Sequence, residues 1–142
     1  MTHSHYDNNN IFARILRGEI PAHRIYEDDQ VLAFMDAMPQ SKGHALVLPK
    51  APSRNLLDAQ AETLSGLIPV VQKIAKAAMR AFEPSGVQII QFNEPGAGQT
   101  VFHLHFHVIP VYEGEHLRLH SRDMEDGAVL AAHAEKYRAA LG

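Results

Sequence analysis

Three histidines, His103, His105 and His107, alternate with apolar residues in the stretch Val101-Phe102-His103-Leu104-His105-Phe106-His107-Val108-Ile109-Pro110. Imidazole has an ordinary pKa of about 6.5, so near neutral pH much of it carries a free lone pair and no charge. Such a row has three chemistries open to it. It could be a hydrogen-bonded polar strand face. It could bind a metal, although His103 and His107 on one straight strand stand about 13 Å apart, too far to share an ion. A metal would need a further ligand such as His44, Asp36 or Asn93, and the chain has no cysteine. The third is nucleophilic attack on phosphorus, with the middle ring attacking and a neighbour handling the leaving group.

The third chemistry uses most of the surroundings. Asn93-Glu94-Pro95-Gly96-Ala97-Gly98-Gln99-Thr100 is a glycine-bearing turn just upstream, whose amides could line an anion pocket. Gly98 permits close backbone approach, and the Thr100 hydroxyl can donate to a phosphoryl oxygen. Metal-free nucleophilic catalysis is the expectation, with no metal and no cofactor.

Those residues need elements to hold them. Period-two alternation predicts a strand over 101–110, with all three imidazoles on one face and Phe102, Leu104, Phe106 and Val108 on the other. Pro110 limits its run as a central ladder member. Ile11, Phe12, Ile15 and Leu16 have helical spacing, between Asn9 or Asn10 as N-cap and Gly18 as terminator. Strands are predicted over 22–27, 31–36, 45–48 and 87–92. Asp58 is the expected cap of a long helix over 59–82, kinked or broken near Pro69. A terminal helix spans 126–141, while residues 112–122, with His116 and His120, read as surface loop. This order implies an α+β fold, an antiparallel sheet of about five strands with helices on one face. Residues 1–9 read as a frayed tail and 10–142 as one domain.

The stretch Gly98 to His107 resembles the signature of the histidine triad (HIT) family of nucleotide hydrolases and nucleotidyl transferases. Separated blocks agree in order: Ile11 to Pro21, Glu27-Asp28-Asp29, Ala33-Phe34-Met35-Asp36 and Gly43 to Lys50. They are most similar to the Hint branch, while Ala97-Gly98-Gln99-Thr100 also resembles the Fhit branch. The resemblance implies a two-fold dimer and a purine nucleotide substrate. His105 would be the nucleophile, flanked by His103 and His107, with His44 as a fourth active-site histidine. It further implies phosphate contacts near Asn93, Gly98, Gln99 and Thr100. A nucleoside pocket would be formed by Ile11, Phe12, Ile15 and Phe34, with Asp36 on the ribose hydroxyls. The implied reaction is hydrolysis at the α-phosphorus of nucleoside phosphoramidates. Dinucleoside polyphosphate hydrolysis and a non-catalytic nucleotide-binding scaffold are the alternatives. Agreement fades after Pro110.

Composition narrows the partners. The 142 residues are 46% hydrophobic and 20% charged, as in globular domains, and the net charge of −3 argues against a nucleic-acid surface. No apolar run reaches the ~20 residues of a membrane span. The polar start has no secretory pattern, so the expected location is the cytoplasm.

Overall fold

Asn10 opens the first helix as its spacing predicts: the side chain accepts from the Ala13 amide at 2.9 Å, and α1 runs Ile11–Leu16. Gly18, at φ +80°, follows its end. The computed structural model describes residues 6–117 and 123–141. Of the predicted tail, residues 1–5 lie outside the described residues. In Tyr6 to Asn9 the Asp7 carboxylate accepts from the Asn9 amide, and the Tyr6 hydroxyl is bonded to His103.

The strands are β1 (Arg24–Glu27), β2 (Val31–Met35), β3 (Ala45–Pro49), β4 (Gly86–Ile90) and β5 (Phe106–Val111). They form one antiparallel sheet in the order β1-β2-β3-β5-β4. Asp28 makes the β1–β2 turn by accepting from the Gln30 and Val31 amides, each at 2.8 Å. The long helix α2 (Ala61–Phe82) and the terminal helix α3 (Gly127–Leu141) follow β3 and β5 respectively. The fold is α+β.

Alternation sorts the strand side chains into two cores. Val31, Ala33 and Met35 of β2, with Ala45 and Val47 of β3, meet Leu67, Ile74 and Ala78 of α2 and Tyr137 of α3. Leu32, Phe34, Leu46 and Leu48 point the other way, against Phe12 and Ile15 of α1. The two long helices therefore share one face, and the short α1 covers part of the other. This explains why β2 and β3 are apolar throughout, as in sheets buried on both sides.

Three local expectations differ in the structure. The strand predicted over 101–110 is a strand only from Phe106. In the β3–β5 register the next partner of Leu104 would be Pro49, which has no N–H to give, so the ladder stops at Val47↔Phe106. Leu104 instead donates to the Ser53 carbonyl at 2.8 Å. Beyond Val108, β5 continues alone against β4, where Pro110 faces Val87 and is harmless. Asp58 does not cap α2. Its carboxylate accepts from the Arg54 and Asn55 amides, and Gln60 is the N-cap, with no side-chain bond. Pro69 neither ends nor divides α2; Pro69 and Ser65, whose carbonyl loses its partner, are exposed, so water can take the missing donor's place.

The C-terminal helix is tied to the loop before β3. Tyr137 is fully buried and its hydroxyl donates to the Gly43 carbonyl at 2.5 Å. Gly43 has φ +91°, and a Cβ there would meet the Phe82 ring at 3.0 Å. His116 is exposed as expected, and His120 lies outside the described residues. Among the described residues no helix is long and apolar enough to cross a membrane.

Candidate active site

The histidines lie on the α1 side of the sheet, and each ring's bonds dictate where its proton sits. His105 Nδ1 is 2.6 Å from the His103 carbonyl. A carbonyl only accepts, so Nδ1 carries the hydrogen and Nε2 keeps its lone pair. Among the described residues Nε2 has no partner. The ring packs edge-on against Phe12, with centroids 4.8 Å apart, and is 8% exposed. Burial pushes its pKa below the usual histidine value, partly offset by the His103 carbonyl. His105 is thus an uncharged nitrogen with an open lone pair.

The same reasoning runs through a second chain of bonds. The Gln40 amide donates to His44 Nδ1 at 2.9 Å, so the His44 hydrogen is on Nε2. That nitrogen lies 2.9 Å from His107 Nδ1, which must therefore accept. His107 is left with Nε2–H, a donor unpartnered among the described residues. The His105 and His107 ring centroids are 5.1 Å apart. Burial pushes His44 down to about 3 and His107 down to about 4, with neighbouring histidines adding to both shifts. One lone pair and one N–H donor thus stand side by side.

His103 is differently employed. Its Nε2–H donates to the Pro49 carbonyl at 2.7 Å, and Nδ1 accepts from the Tyr6 hydroxyl at 2.5 Å. Fully buried and held by burial near about 4, it is a neutral post whose two ring nitrogens are both spent on the protein.

Asp36, His44 and His107 bring three potential metal-binding atoms within 4.8 Å of one another. Their hydrogen bonds run from the Gln40 amide through His44 to His107. A histidine ligand normally donates its other ring N–H, whereas His44 Nδ1 accepts from Gln40 and its Nε2 would have to surrender its only proton. To bind an ion, His44 would first have to release the hydrogen that it shares with His107.

A profile of the HIT domain matches residues 17–114. The chain belongs to the HIT family. It is 39% identical over 135 residues to the Bacillus subtilis protein hit, covering 94% of this chain and 87% of that one. The crystal structure of a Hit-like protein involved in cell-cycle regulation from Bartonella henselae superposes with a TM-score of 0.90. That match has 55% identity, over 96% of this chain and 99% of the other. A HIT family hydrolase from Clostridium thermocellum matches with a TM-score of 0.66 and 30% identity, over 75% of this chain and 94% of that one.

In this HIT domain the turn before the triad is braced from within. The amides of Ala97 and Gln99 donate to the Glu94 carbonyl, and that of Gly98 to the Pro95 carbonyl. These three amides do not form the anion cradle that the glycines suggested, because the 3₁₀ turn Pro95–Ala97 uses them. Gln99 is buried and its side chain is fully spent: Nε2 donates to the Arg54 and Val101 carbonyls, and Oε1 accepts from Asn55 Nδ2 and the Glu94 amide. Asn93 Oδ1 accepts from the Leu56 amide and Gln91 Nε2. Its Nδ2 donates to Gln91 Oε1, leaving one N–H for a ligand among the described residues. Thr100 is exposed. Replacing Gln99 by Leu strands four polar groups, so we expect a loss of at least about 2 kcal/mol, read from urea unfolding.

Of the residues expected around a nucleoside, Phe12, Ile15 and Phe34 are buried in the α1 core, while Ile11 is 47% exposed. Asp36 lies beside His44, with Oδ2 3.4 Å from His44 Nε2, and its Oδ1 accepts from the Met38 amide at 2.8 Å. Several contributors gave no sequence signal. Tyr6 sits in a polar run, and Gln40 and Pro49 act through backbone atoms. Arg54 holds Glu94 with two bonds, at 2.8 and 3.0 Å, and covers the Phe102 ring at 4.3 Å. Glu94 has φ +78°, a strained value for a residue with a side chain, and Arg54 and Asn55 hold it there. A cavity of about 330 Å³ between the loop before His44 and α3, lined by Lys42, Tyr112 and His133 among others, contains none of the four site histidines.

Proposed function

We propose that this HIT protein hydrolyses purine nucleoside 5′-phosphate derivatives, phosphoramidates foremost, at the α-phosphorus through a nucleotidyl-histidine intermediate. The carrying observation is the tautomer of His105: Nδ1–H is held by the His103 carbonyl, which leaves a neutral Nε2 lone pair on a ring 5.1 Å from that of His107. His105 Nε2 attacks phosphorus, the bond to the leaving group breaks, and the leaving group departs with a proton supplied through His107. His107 Nε2–H, the Thr100 hydroxyl and the spare Asn93 N–H are the donors for phosphoryl oxygens. Water then cleaves the phosphorus–nitrogen bond to His105, dividing one hard displacement into two easier ones. The same proposal places the protein in the cytoplasm as a two-fold dimer joined along the outer edge of β4, where Ile89 is 44% exposed.

The test is mass spectrometry after brief mixing with adenosine 5′-phosphoramidate. We expect an adenylyl group on His105, and its absence with continued turnover would sink the mechanism. Because burial lowers the His105 pKa, the ring stays neutral at pH values where a free histidine is half protonated. For a substrate whose leaving group needs no proton, adduct formation is therefore expected to stay level from pH 8 to below about 6.5. A decline centred at or above that value, in a stopped-flow pH series, would contradict the assigned charge state.

A further inference from the structure

Phe92 is an aromatic ring at the site to which neither the triad nor the nucleoside pocket gives a task. It lies just past the end of β4, and its ring stands edge-on to that of His107, with centroids 5.7 Å apart and planes at 73°. The residue is only half-buried. Gly98 makes room for it: φ is +106°, and a Cβ there would meet the Phe92 ring at 3.2 Å. A side chain at position 98 would press on that ring, so the turn and the aromatic residue fill this corner together.

The neighbours of His107 decide what the ring can meet. The rings of His105, His44 and Phe92 all contact it, the first two with centroids at 5.1 and 5.2 Å. His105 is taken by phosphorus during reaction, and His44 is tied to His107 Nδ1. In a displacement at phosphorus the leaving group departs opposite the attacking atom. It can take a proton through His107 only by lying against that ring. Whatever the leaving nitrogen carries is thus delivered to the rim of His107, where Phe92 is the ring left to meet it. At the other end Phe12, of the α1 core, packs on His105. The ring contacts therefore run in the sequence Phe12, His105, His107, Phe92, from the nucleoside end to the leaving-group end.

The side chains next to Phe92 bring no free charge to that end. Gln91 and Asn93, on either side of it, bond to each other through their side-chain amides. The Glu94 carboxylate is taken by Arg54 and Asn55. Gly96, Ala97 and Gly98 have no polar side chain. An aromatic substituent would gain edge-to-face and dispersion contact with Phe92, whereas an ionised one would meet no opposite charge on these residues.

We infer that Phe92 is a specificity-determining residue for the leaving group, and that the site favours nucleoside phosphoramidates whose amine carries an uncharged aromatic group. This rests on the nucleotidyl-His105 reading above and names the substrate class within it.

The experiment measures kcat and KM for adenosine 5′-N-benzylphosphoramidate and adenosine 5′-phosphoramidate. Their leaving groups, benzylamine and ammonia, have similar basicity, so the demand on His107 is alike and the added ring is the difference. In wild type we expect kcat/KM to be roughly tenfold higher for the benzyl probe. Phe92→Ala should remove that preference by raising KM for the benzyl probe, while kcat on both probes changes less than about threefold. Phe92→Tyr, which keeps the ring, should retain the preference. Parity of the two probes in wild type would overturn the inference. So would equal losses on both probes in Phe92→Ala, which would make the ring a support for Gly98 and His107. Loss of the preference in Phe92→Tyr as large as in Phe92→Ala would overturn it too. Failure of wild type to form a His105 adduct with either probe would instead defeat the underlying reading.

Discussion

Replacing His105 by alanine is expected to lower turnover by at least about 10³-fold, because it removes the attacking atom itself rather than an aid to attack. The other groups remain: the Gln40 amide still orders His44, His44 still orders His107, and Gln99 still braces the turn. Residual activity would then measure what binding and the His107 donor achieve without a covalent intermediate. The ring also packs on Phe12, so some stability is lost with it. Turnover should therefore be measured where circular dichroism shows the variant folded. A folded His105→Ala protein within tenfold of wild type would exclude this ring as the nucleophile.

The largest stability effect is expected at the far end of the chain. Tyr137 is fully buried in the core formed by α2, α3 and the sheet, and its ring lies 5.1 Å from that of Phe82. Tyr137→Ala removes a large aromatic side chain from a packed interior and should cost about 3–5 kcal/mol. Tyr137→Phe removes only the bond to the Gly43 carbonyl and should cost about 1 kcal/mol. Equilibrium urea unfolding of both variants checks the pair. Similar small losses in the two would mean that α3 is not integral to this core. The bond also matters for chemistry, since Gly43 immediately precedes His44 and left-handed backbone at that point sets how His44 enters β3.

The elements were legible because burial imposes periods on the sequence. Ile11, Phe12 and Ile15 announced α1; the Leu67-to-Phe82 stripe announced α2; Leu130, Ala134 and Tyr137 announced α3. The uninterrupted apolar runs of β2 and β3 also carried a message less easily read, that both faces of those strands are covered. The residues of the site were legible by type, and their roles only in part. Gln99 looks like a ligand in sequence, yet each polar atom of its side chain is used inside the protein. Asp58 looks like a cap, yet local amides reach it first. Tyr6 carries no periodic signal because its partner is 97 residues away. Long-range bonds to single atoms leave no pattern along a chain, whereas repeated burial does.

The early end of the ladder at Phe106 has a consequence for the whole site. Carbonyls inside a regular sheet interior are occupied by neighbouring strands and have little left with which to orient a side chain. Because the peptide after His103 lies outside that weave, its oxygen is at liberty to hold the ring two residues onward. Extending the pairing by two residues, with an ordinary amide in place of Pro49, would hold the His103 carbonyl in the plane of the sheet, away from side chains that stand off that plane, and His105 would lose the acceptor that fixes which of its nitrogens carries the hydrogen.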